Sequence, residues 1–134
     1  MDLDLKIHHI GYLVKNIDKA IEKFKQLGFK CVSETTCDEI RYIHICFMEK
    51  DGYVIELVSP YDSNSVVSKL MKQYKNSPYH ICYLTDKFEE TCIALQTGGG
   101  YVMVNNPLPA PALEGKRVVF LISHISGMIE LLEK

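Results

Sequence analysis

Two histidines and two glutamates occupy matching positions in the two halves of the sequence, which has 134 residues. His9 opens the segment His-Ile-Gly-Tyr-Leu, and His80, 71 positions later, opens His-Ile-Cys-Tyr-Leu. Glu56 lies within Val-Ile-Glu-Leu-Val, and Glu130, 74 positions later, lies within Met-Ile-Glu-Leu-Leu. The halves therefore form an internal repeat, in which the second half is three residues longer between its histidine and its glutamate.

The residue types in this repeat predict a metal site. An ionised carboxylate within an apolar strand costs several kcal/mol unless a partner compensates its charge. Two imidazoles and two carboxylates form a mixed nitrogen and oxygen donor set that binds divalent ions, and the ion neutralises both carboxylates. We therefore predict one metal ion bound by four residues, His9, Glu56, His80 and Glu130. In the alternative, the four residues are satisfied separately, for example by ion pairs with the two arginines of the chain, Arg41 and Arg117.

His8 competes with His9 for the role of ligand, because the two residues are adjacent. Adjacent side chains of a strand point to opposite faces, so only one of them can reach the site. The repeat selects His9, since His80 aligns with His9 and Tyr79 aligns with His8. Cys82 follows His80 by two positions on the same face, and we expect it to pack rather than to bind the metal.

The hydrophobic periodicity of the first half places its histidine and glutamate on strands that flank a helix. Asn16 is predicted to cap the helix at its N-terminus, and Gly28 is predicted to end it. A hairpin turn that contains glycine is predicted at Lys50-Asp51-Gly52. The predicted strands are 7–14, 29–34, 41–48 and 53–58, and the predicted helix is 17–27.

The second half repeats this order of elements. Asp86 and Glu89 predict a capping box at the start of its helix. Residues 105–116 contain three prolines and are predicted to form an ordered loop. The predicted strands are 79–84, 100–104, 117–122 and 127–132, and the predicted helix is 87–97. We interpret residues 1–134 as a single domain of two repeated modules, about 6–59 and 78–133, joined by a helical connector at 61–77.

The composition of the chain excludes some classes of partner and indicates its cellular compartment. A net charge of −2 does not indicate the basic surface that nucleic-acid binding requires. No apolar run is long enough to cross a membrane, and the acidic first residues do not fit a secretory signal. The five cysteines include no CxxC pair. We therefore expect free thiols, a reducing compartment and a cytoplasmic protein.

The chain resembles the vicinal oxygen chelate superfamily, which includes glyoxalases, bleomycin resistance proteins and dioxygenases. Within it, the resemblance is strongest to the methylmalonyl-CoA epimerases, with glyoxalase I (lactoylglutathione lyase) as a near relative. No single motif is specific to the superfamily, but the order and spacing of the motifs are. The segments that carry the resemblance are 8–24, 54–60, 77–86, 116–122 and 127–133.

The resemblance implies an α+β fold in which two βαβββ modules form a curved mixed sheet around a metal site. It implies that the four repeat residues are the metal ligands and that the cofactor is one divalent ion, either Co, Ni, Zn or Mn. It also implies that Glu130 and Glu39 are catalytic carboxylates. The turn at Asp38-Glu39 lacks the flanking glycine of the family pattern, and a second reading of Glu39 is an exposed turn carboxylate.

The function implied by the resemblance is that of a metal-dependent isomerase, most like a methylmalonyl-CoA epimerase. Such an enzyme removes a proton next to a carbonyl group and passes through a metal-stabilised enolate. One alternative is glyoxalase I, acting on a methylglyoxal–thiol hemithioacetal, and a second is a non-enzymatic binding or resistance protein of the same fold. The expected partners are a small-molecule substrate, either an acyl-CoA thioester or a thiohemiacetal, and a second copy of the chain in a homodimer.

Overall fold

A computed structural model describes residues 2–134 and assigns to them ten strands and three α-helices. The fold is therefore mixed α+β, which confirms the fold class predicted from the sequence. The chain divides into two compact units. One unit is His9–Tyr79, and the other combines Met1–His8 with His80–Lys134. No helix within residues 2–134 has the length and apolar content needed to span a bilayer.

The unit His9–Tyr79 is built around one long antiparallel strand, β4 (Ile43–Lys50), which pairs with β2 (Lys30–Cys31), β3 (Thr36–Asp38) and β5 (Tyr53–Pro60). On its other side, β5 pairs in parallel with β1 (Lys6–Leu13). The helices are α1 (Ile17–Gln26) and α2 (Ser68–Tyr74).

The other unit has the same pattern of pairing. Strand β10 (Gly127–Glu133) pairs in parallel with β6 (Ser77–Thr85) and antiparallel with β9 (Lys116–Ser123). On its other side, β9 pairs with β7 (Val102–Met103) and β8 (Leu108–Ala110). The helix is α3 (Phe88–Thr97), with a short 3-10 turn at Pro111–Leu113.

Local sequence signals account for the first helix and the first hairpin. The side chain of Asn16 accepts a hydrogen bond from the Lys19 amide at 3.0 Å, which confirms the predicted N-cap of α1. Asp51 and Gly52 both have positive φ angles, 54° and 84°, and connect β4 to β5 in a two-residue turn. Such turns match the twist of the flanking strands, so they fix the register of the hairpin that carries Glu56.

In each unit the core lies between the helix and one face of the sheet. Alternate residues of β5, Ile55 and Leu57, belong to the core under α1, and alternate residues of β10, Ile129 and Leu131, belong to the core under α3. Because successive side chains of a strand point to opposite faces, the intervening glutamate must point away from the helix. The face opposite the helix therefore carries the residues that the repeat singled out.

Two predictions for the second half were wrong in part. The predicted capping box does not form: the residue at the N-cap of α3 is Lys87, no side chain caps the helix, and Glu89 forms an ion pair with Arg117 at 2.6 Å instead. The predicted loop 105–116 contains the short strand β8. In the first half, the predicted strand 29–34 is reduced to β2, and β3 was not predicted.

Arg117 ties the end of β10 to the start of β9. Its guanidinium donates hydrogen bonds to Glu133 at 2.9 and 3.1 Å, and its amide donates another to the same carboxylate at 2.9 Å. These hydrogen bonds from Arg117 lower the pKa of Glu133 below its ordinary value. A carboxyl group with a lowered pKa in the folded state stabilises the fold above its unfolded pKa, and this contribution is lost as the pH falls through the folded pKa.

We predict that Glu133→Gln lowers the free energy of unfolding at pH 7 and that the difference from the wild type disappears in acid. Urea denaturation of both proteins between pH 7 and pH 3 measures this difference. A matched control is Glu22→Gln, because the side chain of Glu22 is 72% exposed in its ion pair with Lys25. A constant difference across the pH range for Glu133→Gln would contradict the role of its charge.

Candidate functional site

His9 and Glu56 form a buried pair in the unit His9–Tyr79. The two side chains lie on neighbouring parallel strands, where Glu56 is opposite Gly11 and His9 precedes Gly11 by two positions on the same face. The distance between His9 Nε2 and Glu56 Oε1 is 3.4 Å. The two residues are only 1% and 4% exposed, so the imidazole and the carboxylate meet in a region that excludes bulk water.

His80 and Glu130 form the equivalent pair in the other unit. Glu130 on β10 is opposite Cys82 on β6, and His80 precedes Cys82 by two positions. The distance between His80 Nε2 and Glu130 Oε1 is 3.1 Å, and both residues are 4% exposed. The same diagonal offset between parallel strands therefore positions both pairs, so the repeat seen in the sequence is also a repeat of local geometry.

A phenylalanine packs against the imidazole of each pair. Phe47 is directly opposite Glu56 on β4, and its ring meets the His9 ring edge-on at 5.3 Å. Phe120 is directly opposite Glu130 on β9, and its ring meets the His80 ring edge-on at 5.1 Å. Edge-to-face packing of this kind favours one ring orientation. The sequence analysis missed both phenylalanines, although comparing Ile-Cys-Phe-Met with Val-Val-Phe-Leu in the aligned halves would have revealed them.

The donor atoms of each pair suit a divalent metal ion. Two atoms bound to one ion at about 2.0–2.2 Å lie roughly 3 Å apart, and the Nε2–Oε1 distances of 3.4 and 3.1 Å are close to that spacing. Each carboxylate is buried in a medium where an uncompensated charge is costly. An ion bound by these atoms would compensate that charge. The chemistry and spacing of both pairs therefore fit the cofactor that the sequence predicts.

Glu39, the other predicted catalytic residue, lies outside both pairs. It is exposed on the turn that follows β3, and within residues 2–134 its side chain makes no hydrogen bond or ion pair. The turn itself is firmly held. The carboxylate of Asp38, which is completely buried, accepts hydrogen bonds from the amides of Ile40 and Arg41 and from the Arg41 guanidinium, at 2.8 to 3.0 Å. Glu39 is thus an unengaged carboxylate on a rigid support.

The buried cysteine thiols are poorly suited to nucleophilic chemistry. Burial, together with the neighbouring Cys31, raises the pKa of Cys46 to about 11, and burial also raises the pKa of Cys92. The thiolate is the reactive form of cysteine, so both groups are unreactive near neutral pH. Cys46 and Cys92 are therefore not candidates for a nucleophile.

Residues 8–120 match the family model of the Glyoxalase/Bleomycin resistance protein/Dioxygenase superfamily. The chain belongs to this superfamily. The match spans most of the sequence and includes three of the four paired residues. No curated protein sequence matches the chain.

Several solved structures share the fold over nearly the full chain. A hypothetical protein from Bacillus halodurans is 25% identical, with a TM-score of 0.85, and the match covers 98% of this chain and 96% of that one. The methylmalonyl-CoA epimerase of Mycobacterium tuberculosis is 22% identical, with a TM-score of 0.81 and coverage of 95% and 86%. A variant of the Streptomyces coelicolor methylmalonyl-CoA epimerase in complex with 2-nitronate-propionyl-CoA is 19% identical, with a TM-score of 0.79 and coverage of 96% and 94%.

The packing of Phe47 against His9 leads to a stability prediction for this superfamily member. Phe47 is 7% exposed, and truncating a buried phenylalanine to alanine costs about 3–5 kcal/mol. We expect Phe47→Ala to lower the free energy of unfolding of the metal-free protein by an amount in that range, as measured by urea denaturation. Ile125→Ala, at a residue that is 98% exposed, should change stability little. Equal stabilities of the two variants would show that Phe47 does not pack as described.

Proposed function

We propose that this protein is a metal-dependent isomerase that removes a proton next to a carbonyl group, and that it acts as a methylmalonyl-CoA epimerase. The observation that carries the proposal is the pair of buried His–Glu contacts, built on the same strand offset in each unit. Similarity of fold to epimerases that bind acyl-CoA compounds supports this choice of substrate class.

The proposed metal ligands are His9, Glu56, His80 and Glu130. A donor set of two imidazoles and two carboxylates is compatible with Co, Ni, Zn or Mn, and burial at 4% exposure or less would exclude competing water from the ligand atoms. When bound, the ion would supply Lewis-acid polarisation of the substrate carbonyl, which is worth several kcal/mol of charge stabilisation.

Two carboxylates are proposed to move the proton. Epimerisation needs one group to remove the proton from one face of the carbon and another group to return a proton to the opposite face. Glu130 and Glu39 are the proposed groups, since Glu130 is buried beside His80 and Glu39 is unengaged on its held turn. General base catalysis of this kind contributes roughly 10²–10⁴ in rate.

Glyoxalase I activity remains the second candidate, because the same carbon acid chemistry with proton return to the neighbouring carbon gives that isomerisation. A glutathione-derived substrate carries two carboxylates, for which arginine is the preferred bidentate partner. The two arginines of the chain are already engaged, Arg41 by Asp38 and Arg117 by Glu133 and Glu89. This commitment of both guanidinium groups counts against a glutathione-derived substrate.

The proposed setting is a homodimer in the cytoplasm. All five cysteines are free, as expected for a protein in a reducing compartment. We propose that each metal site is completed within one chain and that the dimer forms through another surface.

We predict that the protein, stripped and reloaded with Co²⁺, binds one ion per chain, and that His80→Ala and Glu56→Gln lose it. Elemental analysis after gel filtration measures the stoichiometry, and circular dichroism checks that the variants remain folded. His44→Ala serves as the matched control, because His44 packs against Tyr61 outside both pairs. Absence of stoichiometric metal from the reloaded wild type would refute the proposed cofactor site.

The substrate is tested by exchange of the α-proton in D₂O. Proton NMR measures the exchange. The metal-loaded protein should exchange the α-proton of methylmalonyl-CoA and should not exchange that of the methylglyoxal–glutathione hemithioacetal. Exchange of the hemithioacetal alone would establish the glyoxalase reaction instead. Exchange of neither compound would favour a binding protein of the same fold.

Substitutions of Glu39 and Glu130 distinguish the roles of the two proposed bases. Glu39→Gln should lower kcat for epimerisation by roughly 10²-fold or more, the usual contribution of a general base, and should leave the metal content at one ion per chain. Glu130→Gln should abolish both activity and metal binding. An unchanged kcat in Glu39→Gln would show that Glu39 is an exposed turn residue without a catalytic role. The control is Glu34→Gln, because Glu34 is another exposed carboxylate of the same segment.

A further inference from the structure

A cleft lies within the unit His9–Tyr79, between the end of β1 and the connector that carries α2. Its volume is about 530 Å³, which falls in the range of small-molecule sites. It lies at the carboxyl end of β5, where Pro60 in its wall follows Glu56 by four positions, or about 13 Å along the strand. Its lining includes Lys15, Pro60, Asp62, Met71, Lys72 and Lys75.

The charge of this cleft is opposite to that of the whole chain. Three lysines line it, Lys15, Lys72 and Lys75, against one carboxylate, that of Asp62, although the net charge of the chain is −2. Within residues 2–134, none of the three ammonium groups has a carboxylate partner. The Asp62 carboxylate accepts a hydrogen bond from the amide of Asn64 in its own loop at 2.8 Å. The cleft therefore has an uncompensated positive charge.

The walls of the cleft are held together by hydrogen bonds. The side chain of Asn76 accepts a hydrogen bond from the Lys15 amide at 2.9 Å, which ties the connector to the end of β1. The Ser68 hydroxyl donates to the Asp62 carbonyl at 2.8 Å, which closes the loop before α2. The lysine side chains thus project from a backbone that is already ordered, so a ligand would not have to organise it.

Lys75 adopts a backbone conformation that normally belongs to glycine. Its φ and ψ angles are 57° and −148°, a region that costs a residue with a side chain about 1–3 kcal/mol. Glycine would avoid this cost at the end of α2, yet the sequence places a lysine there. Backbone strain clusters at functional sites, so the lysine at this position is a candidate for a role in binding.

We propose that this cleft binds the phosphate or diphosphate group of a small organic molecule. Ammonium groups bind phosphate oxygens through charge-assisted hydrogen bonds, and three lysines line this cleft. Pro60 and Met71 offer apolar contacts for the organic part of the ligand. The phosphate belongs either to a free phosphorylated metabolite or to the nucleotide of an acyl-CoA substrate, whose flexible arm would span the distance to Glu56; the second source rests on the proposed function.

The test uses adenosine 3′,5′-bisphosphate as the probe, in calorimetry and in amide NMR of the full chain at low salt. The wild type should bind it saturably, with shifts at Lys15 and Asn76. Lys72→Ala and Lys75→Gly should each weaken binding about fivefold or more, which is the size expected for one lost charged contact. Lys69→Ala, which removes a lysine of the same helix outside the cleft, should leave the affinity unchanged.

Lys75→Gly provides an independent check because it removes the strain together with the charge. We expect this variant to bind the probe more weakly while its melting temperature is equal to or above that of the wild type. No saturable binding of the bisphosphate, of inorganic pyrophosphate or of CoA would overturn the proposal. Equal weakening by Lys69→Ala and Lys72→Ala would also overturn it, because the binding would then be nonspecific.

The source of the phosphate is decided by kinetics with methylmalonyl-CoA. If the nucleotide of the substrate occupies the cleft, Lys72→Ala raises KM and leaves kcat unchanged. If a free metabolite occupies it, KM is unchanged while binding of the bisphosphate is still lost. Failure of the proposed isomerase activity leaves the binding measurements intact, so the two proposals can be refuted separately.

Discussion

A carboxylate buried beside an imidazole on a central strand is the interaction on which the rest of this structure depends. Glu56 and Glu130 are each 4% exposed, and an ionised group at such a depth requires compensation. The parallel pairing of β1 with β5, and of β6 with β10, supplies it by placing a histidine at a fixed diagonal from each glutamate. The antiparallel neighbour adds a phenylalanine against each imidazole. The helices pack on the opposite face of the sheet. There they bury the apolar residues that precede and follow each glutamate in its strand.

The sequence predicted the parts of this arrangement that depend on local signals or on the repeat. The N-cap at Asn16 and the turn at Asp51-Gly52 are determined by their own residues, and the structure contains both. The choice of His9 over His8 came from aligning the halves, and it is His9 that contacts Glu56. The assignment of these residues as metal ligands and as catalytic groups is still a prediction that the experiments above address.

The features that the sequence did not predict depend on partners that are distant in the sequence, or on strands whose residues do not alternate in the usual pattern. Glu89 does not cap α3, because Arg117, 28 positions away, offers a charged partner that outweighs a local cap. Asp38 is buried although it belongs to a polar stretch, because Arg41 and two amides satisfy its carboxylate. The strand β8 includes Pro109 and lies beside only one neighbour, β9, and proline is compatible with such an outer position although it obscures the strand pattern.

The residues opposite the two buried glutamates differ between the halves. Glu56 is opposite Gly11, which contributes only a hydrogen atom there, whereas Glu130 is opposite the buried thiol of Cys82. The two halves thus have the same nitrogen and oxygen donors, but only the second half has a sulfur atom at this position. Sulfur has a high affinity for soft ions such as Cu(I), whereas imidazole and carboxylate groups do not discriminate in that direction. An ion that prefers sulfur would therefore find an additional donor beside Glu130 but not beside Glu56.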